Sequence, residues 1–357
     1  MTRAGAALLG TRANPSKNDS LLGILPRLTS LPAMKKTVLA FSRVSPAMVE
    51  SLQQDFNVIV PNPKQGDINA QFNEALPHVH GLIGVGRKLG RAQLENAGQL
   101  QVVSSVSVGY DNYDLDYFNE RGIMLTNTPD VLTESTADLA FALLMSSARR
   151  VAELDAWTKA GQWQASVGAP LFGCDVHGKT LGVVGMGNIG AAIARRGRLG
   201  FNMPILYSGN SRKNALEQEL GAQFRSLEQL LAEADFVCLV VPLSDKTRHL
   251  ISHRELGLMK SSAILVNISR GPVVDEAALI QALQDNRIRG AGLDVYEKEP
   301  LAQSPLFALK NAVTLPHIGS ATHETRDAMA NRALANLRSA LLGERPQDLV
   351  NPQVWQG

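Results

Sequence analysis

Short apolar runs alternate with segments of helical periodicity along most of this chain. Most runs are separated by enough residues for a crossover helix, a pattern that predicts parallel, doubly wound α/β sheets. The predicted strands of the first half are 37–41, 57–60, 81–84, 101–105 and 122–126. Those of the second half are 181–184, 203–208, 236–241, 263–267, 290–294 and 312–315. The interruption between the two series predicts two separate sheets.

Three helical segments frame these two series. One helix is predicted to end near Gln54. Its start is marked by Ser45, a suitable N-cap, and by Pro46, which suits the first helical position. An amphipathic segment over 134–157 separates the first series from the second. A last helical stretch, 323–342, follows the final strand. Because the second sheet is complete by then, we expect this helix to return to the first sheet.

Composition narrows the class of protein. A chain of 357 residues exceeds the usual size of one core, so we expect two domains. Its 45% hydrophobic residues and net charge of +2 indicate a globular protein without the basic surface that nucleic acid requires. No apolar run approaches the roughly 18 residues of a membrane helix. With only Cys174 and Cys238, we expect no disulfide framework, no metal site and a cytoplasmic location.

Residues 1–33 differ from the rest of the chain. They carry four cations against the single acid Asp19 and show no sustained periodicity. We expect a disordered extension, with a targeting segment or a short ordered arm as alternatives. The apolar stretch 21–25 is too short for a signal-peptide core.

The most specific pattern is Gly-Met-Gly-Asn-Ile-Gly, which lies between the apolar run 181–184 and a helix-like segment over 191–196. Strand, glycine-rich turn and helix in this order bind a dinucleotide pyrophosphate through free N–H groups at the helix start. The predicted cofactor contacts in this turn are Gly185, Gly187, Asn188, Ile189 and Gly190. A glycine-rich βα turn that holds nothing is the structural alternative.

The turn after the next strand indicates which dinucleotide is bound. NAD sites place an acidic residue there for the ribose hydroxyls, but this turn has no carboxylate. Arg212 and Lys213 can neutralise a 2′-phosphate, and Ser208 and Asn210 can hydrogen-bond it. We therefore expect NADP(H) to be preferred, with NAD(H) possible. A solvated basic turn is the alternative.

Three polar residues follow later strands, at the edge where open α/β sheets bind ligands. Arg270 offers a planar fork for a carboxylate or carbonyl, and His317 can deliver a proton near neutral pH. Glu299 can hold that imidazole in one tautomer. Each residue alone is commonly structural, but together, after a dinucleotide motif, they predict a catalytic trio.

With these residues in place, the chain from about Met34 onward resembles the D-isomer-specific 2-hydroxyacid dehydrogenases. It is most similar to their glyoxylate/hydroxypyruvate reductase B group, which overlaps the 2-ketogluconate reductases. The stretches that carry the resemblance are 107–111, 128–133 and 317–326. The resemblance implies that Arg270, Glu299 and His317 are the catalytic trio.

The resemblance also implies further site residues and the assembly. Val108 and Gly109 match backbone positions that bind the substrate carboxylate, together with Arg270. The remaining cofactor contacts that it implies are Pro242, Thr247, Ile268, Asp294 and Gly319. The family's substrate domain is discontinuous, which here predicts 34–130 plus 321–350, with a Rossmann domain over 131–320. Family members are usually homodimers.

These observations together predict an NADPH-preferring reductase of small 2-oxo acids such as glyoxylate, hydroxypyruvate and 2-ketogluconate, yielding D-2-hydroxy acids. A reductase specific for a 6-phosphorylated 2-ketoaldonate is one alternative. A non-catalytic NAD(P)H-sensing regulator would need the glycine motif but not the trio. A dinucleotide-linked hydrolase would need a nucleophile, and neither cysteine occupies a suitable position. The pair Arg87 and Lys88, after the third strand, is a candidate contact for the distal end of a sugar acid.

Overall fold

Every strand in the computed structural model runs parallel to its neighbours, as the alternating pattern predicts. The structure describes residues 35–356, so the expectations for residues 1–33 concern a segment outside the described residues. One sheet has the order β2-β1-β3-β4-β5 and contains β1 (Thr37–Ala40), β2 (Asn57–Ile59), β3 (Gly81–Gly84), β4 (Val102–Ser105) and β5 (Met124–Thr126).

The second sheet has seven strands in the order β12-β11-β10-β9-β6-β7-β8. Its strands are β6 (Leu181–Val184), β7 (Ile205–Ser208), β8 (Gln223–Phe224), β9 (Phe236–Leu239), β10 (Ile264–Asn267), β11 (Gly290–Leu293) and β12 (Ala312–Thr314). The strand order reverses at β6, which pairs with β7 on one side and β9 on the other. Ligands of open α/β sheets bind at the carboxyl ends of strands beside such a reversal.

Twelve α-helices connect or cover these strands within residues 35–356. They are α1 (Pro46–Gln53), α2 (Ile68–Ala75), α3 (Arg91–Leu94), α4 (Leu115–Arg121), α5 (Thr133–Arg149), α6 (Val151–Lys159), α7 (Asn188–Arg195), α8 (Asn214–Leu220), α9 (Leu227–Glu233), α10 (His253–Leu258), α11 (Glu276–Gln284) and α12 (His323–Leu342). In this part of the chain, none of the helices combines the length and apolar character that a membrane crossing requires.

Local capping explains why α1 begins where the sequence predicts. The Ser45 side chain accepts a hydrogen bond from the Met48 N–H, and Pro46 occupies the first turn, where its missing N–H costs nothing.

The single amphipathic segment expected over 134–157 is instead two helices, because Arg150 adopts a left-handed conformation at φ 57° and ends α5. The two-residue strand β8 has no apolar run and was not predicted.

The last helix packs against the first sheet, as expected. Met329, Ala333 and Leu337 on α12 join the buried cluster that covers one face of that sheet. The Ser104 hydroxyl on β4 donates to the Ala333 carbonyl oxygen at 2.8 Å, which ties the helix to that strand. The domain boundaries 34–130, 131–320 and 321–350 stay a prediction.

Candidate active site

The glycine-rich turn after β6 has the geometry that a dinucleotide needs. Gly185 lies at φ 103°, and a Cβ there would stand 2.7 Å from the Val240 carbonyl oxygen after β9. A Cβ on Gly190 would stand 2.2 Å from the Gly185 carbonyl oxygen, so only glycine allows α7 to pack this closely on the turn. A Cβ on Gly187, by contrast, would meet no atom within 4 Å. The turn is therefore tight on its protein side and open where a pyrophosphate approaches.

The first turn of α7 leaves its backbone donors available. Gly187 is the N-cap and supplies no side-chain acceptor, so free N–H groups and the helix dipole favour an anion at this end. The Asn188 amide is directed elsewhere and donates to Asp130 Oδ1 at 2.5 Å. Ile189 is partly buried against the core. The backbone of this turn, rather than its side chains, is thus suited to a pyrophosphate.

The basic turn after β7 contains an ion pair that sequence reasoning missed. Arg212 donates to both carboxylate oxygens of Glu217, at 3.1 and 2.8 Å. The Tyr207 hydroxyl donates to the same carboxylate at 2.6 Å and accepts from the Lys213 N–H at 2.7 Å. Hydrogen bonds from Arg212 and Tyr207 lower the pKa of Glu217. The turn itself has no carboxylate, but one from α8 reaches it.

Five other predicted cofactor residues lie at or after the ends of β7, β9 and β10. Ser208 ends β7, where its carbonyl oxygen accepts the Gly185 N–H at 2.9 Å, and Asn210 is exposed in the turn that follows. Thr247 donates to the Pro242 carbonyl oxygen at 2.6 Å, which fixes the loop after β9. Ile268, at the end of β10, is buried in the core of the second sheet.

His317 and Glu299, two members of the predicted catalytic trio, are in direct contact. The His317 Nδ1 and Glu299 Oε2 atoms lie 2.6 Å apart, and the second Glu299 oxygen accepts the Tyr296 N–H at 3.0 Å. Burial raises the pKa of Glu299, but the His317 hydrogen bond and the Tyr296 N–H outweigh it and hold that pKa below its ordinary value. The carboxylate is thus ionised, and the Nε2 atom of His317 is left for a reactant.

The loop that carries His317 has a strained backbone and is held by a buried carboxylate. This residue has φ 53°, a left-handed conformation that non-glycine residues adopt rarely and mostly at functional sites. Asp294 is buried and accepts the N–H groups of Ile318 and Gly319 at 2.7 and 2.8 Å. Burial raises the pKa of Asp294. The geometry gives Asp294 a loop-holding contact, in addition to the cofactor contact that the resemblance predicts.

Arg270 reaches from the second sheet to the first. Its Nε donates to Asp111 Oδ1 at 3.0 Å, and its Nη1 donates to the Ser269 carbonyl oxygen at 2.8 Å. The other terminal nitrogen lies directly over Gly109, 1.5 Å from where a Cβ would stand. Only a glycine at 109 therefore leaves room for this guanidinium. Asp111 lies in a stretch that carries the family resemblance, but its contact with Arg270 was not predicted.

The loop after β4 presents free backbone donors beside that guanidinium. The Val108 carbonyl oxygen accepts from the Asn127 amide at 2.9 Å, and the Gly109 carbonyl oxygen accepts from Ser107 at 3.2 Å. Within residues 35–356, the N–H groups of Val108 and Gly109 have no acceptor. Two free amides and a guanidinium together form a suitable cradle for a carboxylate.

Neither cysteine has the properties of a catalytic nucleophile. Burial raises the pKa of the Cys238 thiol to about 12 and also raises that of Cys174, so neither is a thiolate nucleophile near neutral pH. Among the described residues, no three His, Cys, Asp or Glu side chains are grouped as metal ligands.

Comparison with known proteins places this site in context. Residues 141–319 match the model of the D-isomer specific 2-hydroxyacid dehydrogenase NAD binding domain. A glyoxylate/hydroxypyruvate reductase B from Yersinia enterocolitica is 49% identical over 324 residues, which are 90% of this chain and 99% of that protein.

Two solved structures are similar to most of the chain. An NADPH-dependent glyoxylate/hydroxypyruvate reductase from Sinorhizobium meliloti, in complex with NADP and malonate, has a TM-score of 0.81 at 30% identity and covers 90% of this chain and 99% of its own. A D-lactate dehydrogenase from Aquifex aeolicus, complexed with NAD and lactic acid, has a TM-score of 0.79 at 27% identity and covers 87% and 98%.

Proposed function

Because this chain belongs to the D-isomer specific 2-hydroxyacid dehydrogenases, nicotinamide-dependent oxidoreductases, we propose that it reduces small 2-oxo acids to D-2-hydroxy acids with NADPH as the preferred reductant. The observation that carries the proposal is the contact of Arg270 with the loop after β4, which brings a carboxylate cradle from the first sheet to the His317–Glu299 pair of the second. Glyoxylate and hydroxypyruvate are the expected substrates, since the relatives are named for them.

Substrate binding follows from the free donors in the cleft. The N–H groups of Val108 and Gly109 and the terminal nitrogens of Arg270 hold the carboxylate of the 2-oxo acid. Because Asp111 takes the Nε edge of Arg270, the end of the guanidinium faces the substrate. This arrangement fixes which face of the keto carbon is presented and thereby selects the D product.

The protein's part in the chemistry is to manage charge on the keto oxygen. A bound nicotinamide supplies a hydride to the keto carbon. His317 donates the Nε2 proton to the oxygen, while Glu299 at Nδ1 holds the ring in one tautomer and orientation. Arg270 stabilises the developing alkoxide electrostatically, an effect that increases as water is excluded.

The fit of the glycine turn supports the cofactor assignment, and the turn after β7 supports NADPH. Arg212 uses one edge of its guanidinium for Glu217, which leaves Nη1 available for a 2′-phosphate. Lys213 adds a second positive charge, so this turn attracts a phosphate despite Glu217. The Sinorhizobium structure, which contains NADP, agrees with this choice.

We further propose that the protein is cytoplasmic and assembles as a homodimer. Several large apolar side chains that follow α5 in sequence are exposed to solvent. Among them, Trp163 is 64% exposed, Phe172 58% and Leu199 75%. We assign these side chains to the dimer contact, because protein interfaces bury aromatic and aliphatic side chains of this size. Light scattering coupled to size-exclusion chromatography tests the homodimer, for which the measured particle mass must be twice that of one chain.

A spectrophotometric assay tests the function. NADPH oxidation is followed with glyoxylate, hydroxypyruvate and 2-ketogluconate, and NADH is compared at equal concentration. We expect turnover with the first two acids and a higher kcat/KM with NADPH. Cofactor binding without turnover on any 2-oxo acid would contradict the proposal and favour a regulatory protein.

A further inference from the structure

Two arginines near the cleft have no partner in the part of the chain that the structure describes. Arg43 follows β1 at the carboxyl edge of the first sheet, in a left-handed conformation at φ 53°. Arg326 lies in the first turn of α12, nine residues after His317 in sequence. No hydrogen bond or ion pair joins either guanidinium to a residue in the range 35–356, and the Nη1 atom of Arg326 is fully buried.

Other arginines on the same helix show how unusual this is. Arg332 is paired with Asp348 at 2.5 Å, and Arg338 with Asp55 at 2.8 Å. For Arg326, burial and the nearby positive charge of Arg43 lower the pKa. Burial likewise lowers the pKa of Arg43, although that residue remains exposed to solvent along part of its length. The positive charge of Arg43 thus acts on Arg326, and Val44, next to Arg43, packs against the same buried cluster as Met329, one turn of α12 after Arg326.

This arrangement disfavours the protein alone and favours an anion. Two like charges in partial burial repel each other, and the positive end of the α12 dipole adds to that repulsion. A phosphate or carboxylate bound at the exposed Arg43 guanidinium would offset both positive charges and remove the repulsion. Because Arg43 remains solvent-accessible, such an anion can reach the pair.

The location relates this pair to the substrate cradle. β1 and β4 are separated by β3 alone, so the chain ends that follow them lie about two strand spacings, or about 10 Å, apart. Arg43 follows β1, and the free amides of Val108 and Gly109 follow β4. A short acid such as glyoxylate cannot span both, whereas an extended sugar acid with a terminal anion can.

We propose that Arg43 and Arg326 form a subsite for an anionic group at the far end of a long 2-oxo acid, a terminal phosphate in preference to a second carboxylate. This proposal rests on the proposed function, whose carboxylate cradle anchors the near end. It also replaces Arg87 as the main candidate for distal contact, because Arg87 already donates to Asn69 at 2.8 Å and stacks on Phe72 at 4.2 Å.

Steady-state kinetics of Arg43→Met and Arg326→Met test the subsite. Substrates are glyoxylate, 2-ketogluconate, 6-phospho-2-ketogluconate and 2-oxoglutarate, a shorter acid with a second carboxylate. We expect wild type to prefer the phosphorylated acid over 2-ketogluconate, and each variant to lower kcat/KM for it at least tenfold while glyoxylate changes less than twofold. Arg254→Met, which removes an exposed arginine paired with Glu228 and Glu255, is the matched control. Equal losses on all substrates, or no loss on the phosphorylated acid, would overturn the proposal.

A binding measurement keeps the subsite separate from the reaction. Thermal unfolding is measured with and without inorganic phosphate, in saturating NADP⁺ so that the cofactor's own phosphate sites are filled. Phosphate should raise the Tm of wild type and of Arg254→Met, and not that of Arg43→Met or of Arg326→Met. No phosphate effect on wild type contradicts the subsite, whereas a phosphate effect with no reduction of any 2-oxo acid contradicts the proposed function alone.

Discussion

Replacing Gly109 by alanine should abolish most activity while leaving the fold nearly intact. The added Cβ would stand 1.5 Å from a terminal nitrogen of Arg270 and 2.7 Å from its central carbon. An ordinary contact needs about 3.5 Å, so the guanidinium must move by about 2 Å. Because Arg270 is a flexible side chain and the Gly109 backbone is not left-handed, the guanidinium moves rather than the loop.

The magnitudes separate activity from stability. Displacement of a catalytic group by an ångström can cost about 100-fold in rate, so we expect kcat/KM for glyoxylate to fall by at least that factor. The displacement breaks one ion pair, between Arg270 and Asp111, whose side chains are 26% and 28% exposed. Such pairs contribute about 0–1 kcal/mol, which corresponds to a fall in Tm of no more than about 4 °C.

Steady-state kinetics and thermal unfolding of the same preparation measure both quantities. Gly98→Ala is the matched control, because a Cβ there meets nothing within 4 Å and the backbone is not left-handed. It should leave both kcat/KM and Tm unchanged. If Gly109→Ala keeps nearly wild-type kcat/KM, Arg270 is not held over this loop during catalysis and the reasoning is refuted.

Three further predictions concern single roles in the site. His317→Gln should lower kcat about 100-fold or more without weakening NADPH binding, since it removes only the proton donor; near-wild-type kcat would exclude that role. Arg212→Ala/Lys213→Ala should raise KM for NADPH at least tenfold more than KM for NADH, and equal increases would mean that the turn only contacts solvent. Asp111→Asn should lower kcat about tenfold with little change in Tm, because Arg270 keeps an acceptor but loses its ionic anchor; a change in KM for NADPH alone would contradict this positioning role.

The fold could be predicted because its signals are local. Buried parallel strands are apolar on both faces, so each strand after residue 36 except one produces an apolar run that is visible in sequence. The exception, β8, is two residues long and partly exposed. The break at Arg150 was equally unpredictable, because a left-handed arginine ends α5 without a glycine or proline to mark it.

The site could be predicted only as far as its residues follow strands. His317, Glu299 and Arg270 all lie at strand ends, where topology brings them to one edge. Asp111 contacts Arg270 across 159 residues, and this pairing depends on how the two sheets face each other. The sequence predicts that α12 returns to the first sheet, but it does not predict that Arg326 on this helix comes near Arg43 after β1. Glu217 was missed because it reaches the basic turn from a helix beyond it.

Isotope transfer tests the central claim most directly. The protein is incubated with hydroxypyruvate and NADPH that carries deuterium at both C4 positions, and the glycerate formed is analysed by mass spectrometry and chiral chromatography. We predict D-glycerate with one deuterium at C2, formed at a rate that His317→Gln reduces about 100-fold. Glycerate without deuterium at C2, the L isomer, or no product at all would contradict the account.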